Sequence, residues 1–292
     1  MKTKFNILAL VVISLLISHS SYAQRNLKIV SYNVLFGLQK DSVNVDRFVS
    51  FIKDWNPDIV ALQEMNGFTQ KTLEKLGERV NHPYVLQSKE EGFPVAITSI
   101  YPLVNFKKVT ENMWHSFIYT KIEGLHIFVI HFSPFSYQKR LQEVKNIIAQ
   151  TKEISKDEPI LIMGDFNSMD ESDSASYDQE MVLGMIEREK KEAHIRNLNN
   201  HKIDYSVLGE LKKAGFVDTY RLINNNFESS LPTLKDGNTK IHSTKIGKGK
   251  RIDFIWANST AKKLVVKSGI IKNEYTDYIS DHYPTFLEIK LP

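Results

Sequence analysis

Eight polar side chains sit where apolar runs begin or end: Asn33, Glu64, His131, Asp165, Asn167, Asp253, Asp281 and His282. Carboxylates, amides and imidazoles brought to one place suit attack on a phosphoester. A hard divalent ion takes carboxylate and amide oxygens in octahedral geometry. Glu64 with Asp165, Asn33 or Asp281 could supply them and leave positions for water and substrate oxygens. Such an ion, Mg²⁺ or Mn²⁺, would neutralise charge developing on the phosphorane. A neutral His282, oriented and made more basic by Asp253, could take a proton from the attacking water. His131, protonated or donating, could stabilise the transition state or assist the leaving group.

Each of these residues taken alone has a plain structural explanation. Asn33 could end a strand in an Asx turn, Glu64 could be an exposed strand end, and Asp165 with Asn167 could make an ordinary turn after Gly164. Asp281 could cap a turn, His131 could be a hydrogen-bonded core histidine, and Asp253 could be a buried partner for Arg251. The set carries more than its members, because burying several carboxylates together is costly unless a cation or a reaction compensates.

The elements that must position them follow from the apolar spacing. LKIVSYN (27–33) and DIVALQE (58–64) alternate as buried strands with polar tips, placing Ile29, Ser31 and Asn33 on one face and Val60, Leu62 and Glu64 on another. Between them, Phe48, Phe51, Ile52 and Trp55 form the stripe of a helix that stops before Pro57. Strands are expected over 95–103, 113–123 and 125–133, with a hairpin turn at Gly124, then a helix over 136–154 and a strand over 159–167. Residues 168–215 read as a surface excursion, and 251–258, 261–271 and 282–291 return to strands. Ends and starts of antiparallel neighbours share an edge, so all eight polar residues can meet on one rim.

The chain has 292 residues, 42% hydrophobic and 25% charged, which is enough for a sizeable core and excludes low-complexity polymers. Lys plus Arg (38) barely exceed Asp plus Glu (34), so charge alone names no partner. The absence of cysteine removes disulfide scaffolds, thiolate catalysis and Cys-ligated metals. At the N-terminus, Lys2 and Lys4 precede an apolar run from Phe5 to Ile17, and Ser21 and Ala23 occupy small-residue cleavage positions. This is the pattern of a secretory signal over 1–23, with a run shorter than the ~20 residues that span a bilayer. No later segment is apolar for that long. The expectation is a secreted or periplasmic protein without a transmembrane segment after processing, and one mixed α/β domain over 24–292.

In order along the chain, SYN, LQE, the histidine ending an apolar strand, GDFN, RIDF and SDH resemble the endonuclease/exonuclease/phosphatase superfamily of DNase I-like phosphoesterases. The resemblance runs from about residue 27 to the end of the chain. It implies a four-layered α/β sandwich, two packed mixed sheets flanked by helices, with the site on the rim. It also implies Glu64 as principal metal ligand, Asn33 and Asp281 as ligands or near-ligands, and Asp165 with Asn167 positioning water and phosphate. His282 becomes the base paired with Asp253, and His131 the second histidine on the phosphate.

Departures from the family bear on substrate. Ser99 is followed by Ile100 where a basic residue is common, and GKGKRIDFI lacks the Pro-x-Trp-x-Asp-Arg pattern of the inositol 5-phosphatases. The aromatic stretch 113–119 reads as a core strand before a membrane wedge. Residues 239–251 carry Lys240, His242, Lys245, Lys248, Lys250 and Arg251, a loop that could grip phosphates or simply be solvated. Asp170, Glu171 and Asp173 read as solvated surface, since they lack the spacing of a calcium loop. The expected activity is divalent-metal-dependent phosphoester hydrolysis by in-line attack of water, with phosphodiesters as substrates. The phosphoester could belong to a small molecule, a lipid headgroup or a nucleic acid, and no obligate protein partner is evident. The rivals are a nuclease and a non-catalytic binding module on the same fold.

Overall fold

A computed structural model describes residues 25–235 and 249–291 of the chain. The N-terminal signal pattern and the basic residues Lys240, His242, Lys245 and Lys248 lie outside the described residues. The strands are β1 (Asn26–Asn33), β2 (Ile59–Gln63), β3 (Tyr84–Gln87), β4 (Ala96–Ser99), β5 (Val104–Val109), β6 (Ser116–Ile122) and β7 (Leu125–His131). They continue with β8 (Ile160–Asp165), β9 (Leu198–Asn199), β10 (Lys202–Ile203), β11 (Val217–Asp218), β12 (Asp253–Ala257), β13 (Val265–Ile270) and β14 (Thr285–Lys290).

Two six-stranded sheets result, in the orders β13-β14-β1-β2-β4-β3 and β11-β12-β8-β7-β6-β5. Each is mixed, with one parallel pair, β1 with β2 and β7 with β8, among antiparallel neighbours. Alternation along the strands builds the layers. Leu27, Ile29, Ile127, Val129, Leu161, Met163 and Ile255 point between the sheets, whereas Val30 and Tyr32 point outward to the helices. Helices Ser42–Trp55 and Gln70–Arg79 cover the first sheet through Phe48, Phe51, Leu73 and Leu76. Helices Tyr137–Thr151 and Ser206–Lys213 cover the second through Val144, Ile147, Val207 and Leu211. This is the four-layered sandwich expected.

Local chemistry sets the element ends. Asp41 caps helix 42–55 by accepting from Val43 N, and Asn56 in the left-handed conformation closes it before Pro57. Glu123 and Gly124, with φ of 48° and 84°, form the tight turn between β6 and β7. Where the sequence shows strand from 113, pairing starts only at Ser116; where it shows strand from 261, a helical turn Ser259–Lys262 precedes β13. Residues 168–215 hold a 3₁₀ turn, helix Gln179–Lys191 and the β9–β10 hairpin as well as helix 206–213. Helix 70–79, β3 and β5 carried too weak an apolar alternation to be read from sequence; all six β5 side chains are exposed or nearly so. No helix among the described residues is long and apolar enough to cross a membrane.

Residues Leu35–Leu38 form a short helical turn of the left-handed kind. Phe36 has φ 46° and ψ 46°, Gly37 φ 65° and ψ 49°, and Leu35, Leu38, Gln39 and Lys40 have φ between 53° and 58°. Such runs of non-glycine residues are sterically unfavourable and persist only when the surroundings impose them. Here Leu35 N donates to Asn33 Oδ1 (3.1 Å), Phe36 N to Glu64 Oε2 (3.0 Å) and Gly37 N to Glu64 O (2.6 Å).

Candidate active site

The pairing register gathers the predicted residues. Asp165 at the tip of β8 faces His131 on parallel β7 and Asp253 on antiparallel β12. Asn33 ends β1 beside Gln63 of β2, and Glu64 follows directly. Asn33, His131, Asp165 and Asp253 continue the inter-sheet faces of their strands, so they cap the central core at one rim.

Glu64 is the exception to alternation. The sequence places it with Val60 and Leu62, which face the helices; the structure gives Glu64 a φ of 59° and swings its carboxylate back to Asn33 and to Phe36 N. Asn33 Nδ2 donates to Glu64 Oε1 (3.2 Å) and to Asp165 Oδ2 (3.1 Å), tying the two sheets' carboxylates together. His282 Nδ1 lies 2.9 Å from Asp253 Oδ2, and its Nε2 lies 3.9 Å from Asp165 Oδ2 and 4.0 Å from Asp281 Oδ1. His131 Nε2 is 3.5 Å from Asp165 Oδ2. Asn167, in the left-handed region at φ 47°, donates Nδ2 to Phe132 O and its backbone N–H to Asp165 Oδ1. All eight residues therefore meet on the rim.

Burial decides the charges. Asp165 is pushed up to about 7 by burial and then by neighbouring Asp253. Burial opposes charge on His282, but Asp253, Asp281 and Asp165 override it and hold the imidazole well above its ordinary value. Burial, His115 and His282 hold His131 well below its ordinary value, which favours the neutral ring. Burial raises Glu64, partly offset by the Phe36 N–H.

A divalent cation fits this donor set. Asp253 Oδ1 is buried without a hydrogen-bond partner, and two carboxylates, Glu64 and Asp165, share Asn33 Nδ2. The tightest trio is Asp165, Asp253 and His282, whose donor atoms lie within 4.8 Å of one another. The neighbouring carboxylates favour a protonated His282, which presents only N–H donors, whereas with a neutral His282 the trio could hold an ion. Glu64, Asn33, Asp165 and Asp281, the residues expected to hold an ion, lie together here, with Asn33 bonded to Glu64 and Asp165 and with Asp281 Oδ1 4.0 Å from His282 Nε2.

Two features escaped the sequence reading. His115 stacks on His131, with centroids 4.1 Å apart, and continues through Phe93 (5.1 Å) to Phe36 (5.5 Å from Phe93), which is exposed. A ring wall thus leads from the surface to Asp165. His115 was hidden because it precedes its strand rather than ending one. The second feature removes one plain alternative and corrects one expectation. Arg251 does not pair with Asp253; its Nε reaches Asp173 Oδ2 (2.8 Å) and its Nη1 Asp218 Oδ2 (2.6 Å). Asp170 and Asp173 are consequently buried, with Lys212 on Asp170 and Arg221 on Asp173, rather than solvated. Charges distant in sequence neutralise them, which no local pattern shows.

The model of the Endonuclease/Exonuclease/phosphatase family matches residues 30–282. Among solved structures, an AP endonuclease from Archaeoglobus fulgidus superposes with a TM-score of 0.66 at 21% identity, covering 89% of this chain and 98% of that one. The 3′ phosphatase NExo from Neisseria, bound to a product DNA hairpin, gives 0.66 at 16% identity, covering 91% and 100%. At these identities the likeness is one of fold. No curated protein sequence matches.

Proposed function

The chain belongs to the Endonuclease/Exonuclease/phosphatase family, and on that premise we propose that it is a divalent-metal-dependent phosphodiesterase acting outside the cytoplasm. The observation that carries the reading is the Asp253–His282–Asp165 line, buried at the rim and tied through Asn33 to Glu64. Glu64, Asn33 and Asp281 would hold the ion, Mg²⁺ or Mn²⁺. When bound, it supplies positive charge to the developing phosphorane oxygens.

The side chains supply the rest. Asp253 fixes the His282 ring through Nδ1 and turns Nε2 toward Asp165, across a gap that a water or a phosphate oxygen can bridge. In the neutral form His282 Nε2 accepts the proton of the attacking water, and Asp165 orients that water from the other side. Asn167 and the neutral His131 hold phosphate oxygens by donation. Buried walls and the ring line from Phe36 limit water to the mouth of the site.

Incubating the purified protein with Mg²⁺ or Mn²⁺ tests this, using a chromogenic phosphodiester, a phosphomonoester, plasmid DNA and sphingomyelin, with chelator and His282→Ala controls. Turnover of the diester lost in both controls is the expected result. Plasmid cleavage instead would favour a nuclease, the activity for which the AP endonuclease of like fold is named. No turnover on any substrate would overturn the assignment in favour of a binding module. The N-terminal Lys-then-apolar pattern supports export, and fractionation of expressing cells checks it.

A further inference from the structure

Behind Asn167 the rim opens into a cavity of about 140 Å³ whose lining includes Arg140, Ser168, Arg188, Asp204 and Lys250. Arg140 is buried and donates Nε to Ser168 Oγ (3.0 Å) and Nη1 to Ser133 O (2.9 Å) and Asn197 Oδ1 (2.7 Å), all neutral acceptors. Arg188 pairs only at the surface, with Glu192 (3.1 Å). The Lys250 ammonium has no hydrogen-bond or ion-pair partner among the described residues. Asp204, the carboxylate of this lining, is engaged elsewhere: Oδ1 accepts from Ser206 N (3.0 Å) and Oγ (2.6 Å), and Oδ2 from Asn199 (3.2 Å).

Three cations thus line one cavity, Arg188 from the surface; Glu143, Asp204 and Asp165 lie near Arg140 without a hydrogen bond to it, and Asp204 is the one carboxylate in the lining. Burial, together with Arg188 and Arg140, pushes Lys250 down to about 8. Withdrawing an ammonium from water beside two guanidinium groups is costly unless an anion shares the space. Guanidinium forks and an ammonium are the usual recognition chemistry of phosphate oxygens. Because Asn167 belongs to both the rim and the cavity, an occupant lies next to the reacting phosphate.

We propose that this cavity is a second anion subsite, which takes a terminal phosphate group carried by the same substrate whose phosphoester is cleaved at the rim. The inference rests on the phosphoester reading above and narrows its substrate. Ser168, Asp204, Ile252 and Arg140 are all buried, so the cavity closes behind its occupant. An internal phosphodiester must let its chain leave on both sides; a terminal phosphate enters by a single bond, and its dianion matches the surplus positive charge.

Calorimetric titration of the purified protein with inorganic phosphate, in chelator so that no divalent ion draws phosphate to the rim, tests the subsite directly. The wild type is expected to bind one phosphate. Lys250→Met and Arg188→Met each weaken that binding by roughly tenfold or more. Asp165→Asn leaves it in place, and Lys250→Arg, which keeps the charge, retains it. Circular dichroism confirms that each variant is folded. Absence of phosphate binding to the wild type, or binding by Lys250→Met equal to wild type, overturns the proposal. Two substrate pairs then identify the source of the phosphate: an oligonucleotide with and without a 5′-phosphate, and a small chromogenic diester with and without a pendant phosphate. A lower KM for the phosphorylated member of either pair, abolished in Lys250→Met, is the expected result and names the source. Equal KM values within both pairs overturn the assignment to substrate. Phosphate binding measured without metal survives if the hydrolase reading fails, so the two failures are distinguishable.

Discussion

Asp253 clamps the imidazole of His282, with Oδ2 2.9 Å from Nδ1, and so leaves Nε2 facing Asp165 across 3.9 Å. The contact joins β12 to the turn before β14, one strand from each sheet, so the geometry of the proposed base depends on how the two sheets pack. Asp253→Asn keeps the side-chain shape but removes the charge that fixes the ring's tautomer and orientation. We expect kcat on the diester to fall by about 10²–10⁴ with a much smaller change in KM. A variant within about threefold of wild type in kcat, folded by circular dichroism, would falsify the pairing as catalytic.

Glu64 and the Asp165–Asp253–His282 trio offer two different places for a divalent ion, and the proposed one is Glu64. Its carboxylate is held by Asn33 Nδ2 and Phe36 N, which orient it without neutralising it. Glu64→Gln should weaken Mn²⁺ binding, followed by electron paramagnetic resonance, by roughly tenfold or more. Asp253→Asn should retain it. The opposite pattern would move the ion onto the trio.

Most of this arrangement was legible because strand tips obey alternation. Ile29 and Asn33, Val129 and His131, and Met163 and Asp165 pair a core residue with a rim residue on one face, and the sandwich follows from the same periodicity. Glu64 was found by type but placed on the wrong face, because a left-handed residue reverses the side chain's direction and periodicity carries no sign of it. Asp253 taken alone could have been the partner of Arg251, two residues away, but the carboxylates of Arg251 come from residues 173 and 218. Long-range charge pairing, like the His115–His131 stack, is set by tertiary contact and leaves no local trace.

His115 makes stability depend on acid. Burial and then Lys89 push its imidazole down to about 4 from an ordinary 6.5. Between those values the unfolded chain binds a proton that the native ring refuses, so native stability falls as pH drops from 6.5 toward 4. The loss amounts to about 3 kcal/mol from this ring alone. Urea denaturation at neutral and mildly acidic pH, in chelator, should show it, and His115→Gln should flatten the slope by about that amount. An unchanged slope in the variant would mean that His115 protonates freely in the native state.

Gly37 is required where the left-handed turn passes under the loop after β2. With φ at 65°, a Cβ there would lie 1.9 Å from Asn66 O, a backbone atom that cannot rotate away. Gly37→Ala should therefore destabilise by about 2–4 kcal/mol, combining backbone strain with a forced shift. The shift would also disturb Gly37 N–Glu64 O, so Mn²⁺ affinity should fall with stability in the same variant. Melting by calorimetry with and without Mn²⁺ separates the two effects; a variant as stable as wild type would show that the turn relaxes freely.

Arg251 supplies the last test, because it lies two residues from Asp253 yet belongs to a different network. Its guanidinium is almost fully buried, bonded to Asp173 and Asp218, and stacked over Phe254 at 4.4 Å and Tyr220 at 4.8 Å. Burial raises Asp218, and Arg251 is the charge that restrains it. Arg251→Met removes a partner from two buried carboxylates; Asp173 keeps Arg221, while Asp218 is left with no ion-pair partner among the described residues. The cost should be about 3–5 kcal/mol, measured by urea denaturation at neutral pH. Adding Asp218→Asn to Arg251→Met removes the stranded charge and should recover part of that loss, whereas Asp253→Asn in the same background should recover none. If instead Asp253→Asn is the partner that restores stability, Arg251 answers to the rim carboxylate after all, and the separation between scaffold and site fails.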